Sequence, residues 1–143
     1  VSSCAPGALL YCFMDHRHMG QILAAGLKAG LHYINLCIWI KSNSGMGSFY
    51  RSRHELVFVF RNGKAPHKNN IQLGRFKRDR SNAWFYPGAN GFKRKDKIDD
   101  FDSHATVKPV RLVSDALLDS THRGDLVLDP FVGSGTTVHR RPG

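Results

Sequence analysis

Residues 126–137 read Leu-Val-Leu-Asp-Pro-Phe-Val-Gly-Ser-Gly-Thr-Thr, and this stretch decides the fold. Its apolar start predicts a short buried strand, over residues 125–129, that runs directly into a glycine-rich turn. Glycines let backbone amides approach a ligand closely, and a helix that follows the turn points its N-terminus at an anionic group. The stretch therefore indicates either a ligand site at the carboxyl end of a strand or a tight strand-to-helix turn without a ligand.

The polar residues of this turn favour a zwitterionic amino-acid group over a nucleotide triphosphate. A phosphate-binding P-loop carries Lys and then Ser or Thr after its last glycine. Here Gly135 is followed by two threonines and no Lys. Asp129 can bind an ammonium group, and the start of the helix can bind a carboxylate. A phosphate-binding NTPase is therefore the weaker alternative.

Apolar runs and turn residues in the rest of the chain predict alternating strands and helices. We expect strands over residues 8–14, 33–41 and 54–61, and helices over residues 18–29 and 109–124. The strands have continuous apolar runs, which are typical of strands buried on both faces of a sheet. This alternation predicts an α/β fold with an open, mostly parallel sheet.

Most of the positive charge lies in one segment. The formal net charge is +10, and residues 61–97 hold eleven Lys or Arg against two Asp, a local excess of +9. The segment has no apolar periodicity, and we expect it to lie outside the sheet. Aromatic residues such as Phe76 and Trp84 are interleaved with the basic ones, a pattern typical of surfaces that bind nucleic acid. A solvated loop is the alternative.

Length and composition are typical of a single globular domain. The 143 residues are 41% hydrophobic and 22% charged. No apolar run approaches the roughly 20 residues of a transmembrane helix, so we expect no membrane span. The three cysteines show no CxxC spacing, and the eight histidines show no metal-ligand spacing. We predict a reduced, cytoplasmic protein without disulfides or a bound metal.

Three motifs follow one another in a recognised order. Residues 49–55 read Phe-Tyr-Arg-Ser-Arg-His-Glu, residues 104–109 read His-Ala-Thr-Val-Lys-Pro, and residues 129–137 have the form DxFxGSGTT. They resemble the FYRSxHE, HPTxKP and cofactor motifs of the DNA amino-methyltransferases, which modify adenine N6 or cytosine N4. Their order resembles that of the permuted group, in which the catalytic half precedes the cofactor half. The resemblance implies a Rossmann-like methyltransferase sheet, S-adenosylmethionine as cofactor and double-stranded DNA as partner.

The resemblance also implies two sets of site residues and a division of the chain. The cofactor pocket would be formed by His104, Lys108, Pro109, Asp129, Phe131, Gly133, Ser134, Gly135, Thr136 and Thr137. DNA would contact basic residues, namely Arg51, Arg53, Lys64, Lys68, Arg75, Lys77, Arg78, Arg80, Lys93, Arg94 and Lys95. Residues 1–62 would belong to the catalytic half, residues 63–103 to a basic target-recognition segment, and residues 104–143 to the cofactor-binding half. Asp15 is either an acidic pocket residue or a helix cap.

The chain also departs from the family pattern. Family enzymes hold the flipped base with a [DNS]PP[YFW] motif, and no such tetrapeptide occurs in this sequence. Ala105 stands where the HPTxKP motif has Pro. We therefore expect a copy truncated at both ends, which binds S-adenosylmethionine weakly at best and is inactive alone. The alternative is a non-catalytic module that binds nucleic acid through its basic segment.

Overall fold

The computed structural model describes residues 2–88, 108–133 and 135–137. The elements follow in the order β1 (Leu9–Met14), α1 (Met19–Lys28), β2 (Leu31–Ile40), β3 (His54–Asn62), β4 (Ala83–Phe85) and α2 (Val110–Ser120), with short 3₁₀ helices at His16–His18 and Arg75–Lys77. The first three strands and both helices confirm the elements predicted from apolar runs. Helix α2 ends at Ser120 rather than at Gly124, because Thr121 adopts an extended backbone conformation.

The four described strands form one mixed sheet in the order β1-β3-β2-β4. Strand β3 is antiparallel to both β1 and β2, and β4 is parallel to β2. The prediction of a mostly parallel sheet is therefore wrong for these strands. Strands β1 and β2, which α1 connects, do run in the same direction. Strand β3 lies between them and runs in the opposite direction. The reason is that β2 and β3 are connected by a loop without a helix, and such a connection joins antiparallel strands.

Strand β4 corrects the prediction that the basic segment lies outside the sheet. Residues Ala83–Phe85 pair with Ile38–Ile40 of β2, and the indole of Trp84 is buried. A strand of three residues is too short to show the alternation on which a sequence-based prediction depends. Part of the basic segment therefore extends the sheet beyond β2.

Each face of the sheet is covered by one helix. On one face, Leu112 and Ala116 of α2 pack against Trp39, Val57 and Val59. Helix α1 covers the opposite face, so the burial on both faces that the continuous apolar runs predicted is confirmed.

On the opposite face, Ile22 and Leu23 of α1 pack in a cluster that contains Phe58 and Phe60. A Cβ atom added to Gly26 would lie 2.5 Å from the Phe60 ring, so glycine at this position allows α1 to approach the sheet.

Turn residues end the elements largely as their chemistry predicts. The side chain of Asp15 accepts a hydrogen bond from the backbone amide of Arg17, so the helix-cap interpretation of Asp15 is confirmed. Gly30 follows α1 with φ of 77°, and its amide donates to the carbonyl of Leu27. Gly63 follows the last residue of β3 with φ of 64°, a conformation that favours glycine.

The strand predicted over residues 125–129 does not form in the described part of the chain. Leu126 is fully exposed, and Val127 and Leu128 are 43% and 67% exposed. A strand requires a neighbour to satisfy its backbone amides and carbonyls, and none of the four described strands pairs with this stretch. The apolar sequence of this stretch is therefore typical of a strand, but none of the described strands pairs with it.

The described residues contain three free cysteines and no helix long and apolar enough to cross a membrane. Burial raises the pKa of Cys37 to about 11, so this thiol stays protonated at neutral pH. Within the described ranges, no three His, Cys, Asp or Glu side chains lie close enough together to hold a metal ion.

Candidate functional site

The candidate site lies at the edge of the sheet where β1, β2 and β4 end and β3 begins. Glu55, the second residue of β3, projects at this edge between two lysines. Its carboxylate oxygens lie 2.7 Å from Nζ of Lys41 and 3.0 Å from Nζ of Lys108. We call this group the Lys41–Glu55–Lys108 cluster. It brings together the ends of two sequence motifs that lie far apart in the chain.

Aromatic rings form the floor beneath this cluster. The Nζ atom of Lys41 lies 4.7 Å from the Trp39 ring centroid, and that of Lys108 lies 5.4 Å from Phe13 and 5.8 Å from Trp39. The Trp39 side chain is 1% exposed, and its indole nitrogen donates to the carbonyl of Tyr86 at 2.9 Å. Cations over aromatic faces are stabilised electrostatically, more strongly where water is excluded. The rings of Trp39 and Phe13 therefore stabilise both ammonium groups at the sheet edge.

The two lysines determine the ionisation of Glu55. Burial of the carboxylate favours a higher pKa, but the hydrogen bond from Lys41 and the positive charge of Lys108 outweigh burial and lower the pKa below its ordinary value of 4.5. Because the folded-state pKa is lowered, the cluster contributes its full stability above the ordinary pKa. That contribution is lost as the pH falls through the lower, folded-state pKa.

Replacing Glu55 with Gln is expected to lower the free energy of unfolding at neutral pH by about 1 to 3 kcal/mol, because two half-buried ammonium groups lose their counterion. The acid-side loss of stability should also become shallower in Glu55→Gln. Thermal unfolding between about pH 3 and about pH 7 measures both effects. Asp79→Asn, at an exposed carboxylate, is the matched control. Equal stability of wild type and Glu55→Gln across this range would contradict the role of the cluster.

The glycine-rich turn closes around the carboxylate of Asp129. One oxygen accepts from the backbone amide of Phe131 at 3.0 Å, and the other accepts from the hydroxyl of Thr137 at 2.5 Å. Gly133 and Gly135 have φ of 54° and 78°, in the left-handed region that favours glycine. The amide of Gly135 donates to the carbonyl of Val132 at 2.8 Å. The turn thus fixes the orientation of an acidic group.

The other predicted pocket residues are placed as follows. Pro109 directly precedes the first residue of α2, and Lys108 joins the cluster at the sheet edge. Phe131 is 89% exposed, and Thr136 is half-buried. His104 and Ser134 lie outside the described residues.

Most of the basic residues predicted to contact DNA lie on the surface. The exposed ones are Arg51, Arg53, Lys64, Lys68, Arg75, Lys77 and Arg78, whereas Arg80 is half-buried and Lys93, Arg94 and Lys95 lie outside the described residues. Several of these exposed side chains have contacts within the chain, including Arg75 and Arg78, whose guanidinium groups lie over the Phe76 ring. Lys68 forms an ion pair with Asp125 at 2.5 Å, and Nε of Arg53 donates to the carbonyl of Lys41 at 2.7 Å.

Arg80 connects the basic segment to α2 through an ion pair. Its Nε atom lies 2.5 Å from a carboxylate oxygen of Asp119, and its guanidinium group lies 5.1 Å from the Trp84 ring centroid. Nearby, the hydroxyl of Tyr86 donates to Asp115 at 2.6 Å. Burial raises the pKa of Asp119, and the charge of Arg80 opposes that shift. The charge of Arg80 is therefore compensated inside the protein.

The loop between β2 and β3, which begins at Lys41 of the cluster, presents two exposed aromatic rings. Phe49 and Tyr50 are 96% and 78% exposed, and their rings meet edge to face with centroids 4.5 Å apart. Backbone hydrogen bonds from Lys41 to Arg53 (2.9 Å) and from Gly45 to Ser52 (2.7 Å) close the loop. Phe49 has φ of 62°, a strained value for a residue with a side chain.

Sequence reasoning missed several members of the site. Lys41, Glu55, Phe13 and Trp39 were absent from the predicted pocket, although Glu55 belongs to the quoted motif of residues 49–55. The positions of Lys41 and Phe13 near strand ends are the signal that could have identified them, because functional side chains gather where strands end at one edge. Nothing local to residue 55 reveals that its partner is Lys108.

Comparisons with known proteins agree on one family. A family model described as DNA methylase matches residues 3–140. The type II methyltransferase M2.MboI of Moraxella bovis is 29% identical over 126 residues, which cover 83% of this chain and 43% of that protein. The type II methyltransferase M.HpaI of Haemophilus parainfluenzae is 28% identical over 149 residues, covering 92% of this chain and 45% of that protein. The chain therefore spans less than half the length of these two relatives.

Solved structures show the same fold. The crystal structure of the M1.HpyAVI–SAM complex has a TM-score of 0.70 and 23% identity, covering 93% of this chain and 61% of that one. A second crystal structure of M1.HpyAVI has a TM-score of 0.67 and 21% identity, covering 94% of this chain and 60% of that one. This likeness confirms the Rossmann-like methyltransferase fold that the motifs implied.

Proposed function

The chain belongs to the DNA methylase family, and on that premise we propose that it is part of an enzyme that methylates DNA. The whole enzyme would transfer a methyl group from S-adenosylmethionine to the exocyclic amine of adenine (N6) or cytosine (N4) in double-stranded DNA. The contact between Lys108 and Glu55 carries this proposal, because it joins two family motifs at the edge where α/β folds bind ligands. We also propose a cytoplasmic location, because the cysteines of the described residues are all free, as in a reducing compartment.

We propose that S-adenosylmethionine binds between the glycine-rich turn and the start of α2. The cofactor supplies a methyl group activated by its sulfonium. The charges of the available residues fit its amino-acid end, because Asp129 can accept from an ammonium group and Lys108 can pair with a carboxylate. The exposed ring of Phe131 can pack against an adenine. The proposed pocket comprises His104, Lys108, Pro109, Asp129, Phe131, Gly133, Ser134, Gly135, Thr136 and Thr137.

The loop between β2 and β3 supports a DNA-facing role for the same edge. Its exposed rings, Phe49 and Tyr50, can stack on bases, and the exposed Arg51 beside them can pair with a phosphate. Strain of the kind seen at Phe49 persists where the surrounding structure holds it, often at ligand sites. We therefore propose that this loop contacts the nucleotide that enters the site.

The basic residues divide into two proposed roles. Exposed residues with no carboxylate partner among the described residues would neutralise phosphates, namely Arg51, Arg53, Lys64, Arg75, Lys77 and Arg78. We propose the same role for Lys93, Arg94 and Lys95, which lie outside the described ranges. Arg80 and Lys68 are ion-paired to Asp119 and Asp125. We propose that these two mainly hold the segment in place. We further propose a division of the chain into residues 1–62, 63–103 and 104–143, in which β4 belongs to the second part and pairs with β2.

A salt titration of DNA binding tests the role of the basic segment. Replacing Lys93, Arg94 and Lys95 together with Gln should weaken binding of duplex DNA. It should also reduce the slope of log affinity against log salt by up to about three phosphate contacts. Arg80→Gln is the matched control: it should lower thermal stability but leave the slope unchanged, because Asp119 compensates its charge. A slope that moves in the control and not in the triple variant would contradict these roles.

A further inference from the structure

A compact loop at residues 72–78 projects from the basic segment. It is closed by backbone hydrogen bonds from Gly74 to Arg78 (2.8 Å), from Arg75 to Gln72 (2.9 Å) and from Arg78 to Arg75 (3.1 Å). Phe76 lies near its centre and is 69% exposed. The loop therefore leaves a large apolar ring exposed to solvent, where it is available to a partner.

Two arginines flank this ring. The guanidinium carbons of Arg75 and Arg78 each lie 5.2 Å from the centroid of Phe76, within the range of a cation–π interaction. Leu73 adds a second exposed apolar side chain, 66% exposed, in the same loop. The loop therefore combines apolar groups with two positive charges, and Lys77 adds a third. This combination fits a polyanion that also offers flat apolar faces.

The backbone of the loop adopts conformations that are costly for residues with side chains. Gln72, Phe76 and Lys77 have φ of 47°, 56° and 57°. Residues in this region of φ persist only where neighbouring structure enforces them, and they concentrate at ligand contacts.

Two asparagines fix the chain at the start of the loop. Oδ1 of Asn69 accepts from the amides of Ile71 and Gln72, each at 3.1 Å. The side-chain amide of Asn70 donates to the carbonyls of Leu118 and Thr121, each at 2.8 Å, at the C-terminal end of α2. The backbone amide of Asn70 donates to the carbonyl of Asp119 at 2.9 Å. The start of the loop is thus fixed to α2, which lowers the entropic cost of binding.

We propose that Phe76 is a DNA-contacting wedge of this chain, inserted against the bases of duplex DNA while Arg75 and Arg78 pair with the flanking phosphates. Apolar side chains that enter a groove next to basic residues contact base steps in this way. The inference rests on the proposed function, since it names where the basic segment meets DNA. The opposite sign of charge on loop and partner favours duplex DNA over an apolar protein surface.

The test compares three variants of the full chain in binding to a fluorescently labelled, mixed-sequence DNA duplex. Phe76→Ala should weaken binding about tenfold without changing the salt slope, because it removes stacking and not charge. Phe76→Trp should retain the affinity of the wild type. Phe85→Ala is the matched control, because Phe85 is 72% exposed in the same segment but stands on β4. This control should bind DNA within about twofold of the wild type.

The outcomes separate the wedge from the proposed function. Salt-dependent binding by the wild type together with an unchanged affinity of Phe76→Ala would overturn the wedge and leave the proposed function in place. An equal loss in Phe76→Ala and Phe85→Ala would also overturn the wedge, because any exposed ring would then suffice. Failure of the wild-type chain to bind the duplex at low salt would overturn both.

Discussion

Substituting Gly133 with Val is expected to abolish binding of S-adenosylmethionine. Gly133 has φ of 54°, a conformation that a β-branched residue adopts only at a cost of about 1 to 3 kcal/mol. The turn can relieve this strain only by rotating its backbone, and rotation would move the amides between Phe131 and Gly135. The hydrogen bond from Thr137 that orients Asp129 spans the same turn. One substitution therefore disturbs both the backbone amides of the turn and Asp129, the proposed ammonium-binding group.

Isothermal calorimetry with S-adenosylmethionine measures the effect in the full-length enzyme to which this chain is proposed to belong, because the 143-residue chain alone is expected to bind the cofactor weakly at best. Gly63→Val is the matched control, because Gly63 has φ of 64° and no heavy atom within 4 Å of its added Cβ, at the end of β3. Both variants should lose similar stability on thermal unfolding, but only Gly133→Val should lose the heat of binding. Unchanged affinity in Gly133→Val would remove the glycine-rich turn from the proposed pocket.

The sequence predicts the position of β1, β2 and β3 well because each has a continuous apolar run of at least five residues. The sequence does not predict the direction of these strands. Apolar runs show that a strand is buried on both faces, but they do not show which neighbour it pairs with or in which sense. The position of β3 between β1 and β2 depends on the loop that precedes it. The mixed sheet could therefore not be derived from hydrophobic pattern alone.

Strand β4 and Arg80 show a second limit. Local composition around residue 80 is basic and irregular, which is typical of a solvated segment. The features that bring it into the fold are remote: Trp84 is buried in the cluster that contains Trp39, and Arg80 pairs with Asp119. A charge that binds DNA and one that is neutralised internally look alike in sequence. The two can be distinguished only when the partner in the folded protein is known, and for Arg80 that partner, Asp119, lies almost forty residues away in the sequence.

The candidate site was predictable to the extent that its motifs were recognisable. Lys108 and Asp129 were identified by resemblance, but the contact between Lys108 and Glu55 was not. Lys41 was missed because a lysine at the end of an apolar strand has no distinguishing pattern. The prediction of a strand over residues 125–129 was wrong for a different reason. Its sequence is typical of a strand, yet a strand forms only beside another, and the described strands leave it unpaired.

The 143-residue chain is expected to transfer no measurable methyl group to DNA by itself. An exocyclic amine conjugated to its ring is a poor nucleophile until hydrogen-bond acceptors draw its protons away and localise its lone pair. In the family these acceptors belong to the [DNS]PP[YFW] motif, which does not occur in this sequence. Loss of one such positioned group commonly reduces the rate about a hundredfold or more, so loss of the whole constellation leaves nothing to detect.

Transfer of labelled methyl from S-adenosylmethionine to mixed-sequence duplex DNA measures this directly, with an active member of the family assayed in parallel. Binding of the cofactor cannot restore the rate, because it positions the methyl donor and leaves the amine unactivated. Turnover above a sample without protein would contradict the prediction and require another acceptor at the sheet edge. Asp15 and Asn43 are the candidates, and the carboxylate of Asp15 is already engaged by the amide of Arg17 and the ring of His18. Asp15→Asn and Asn43→Ala would then identify which side chain carries that activity.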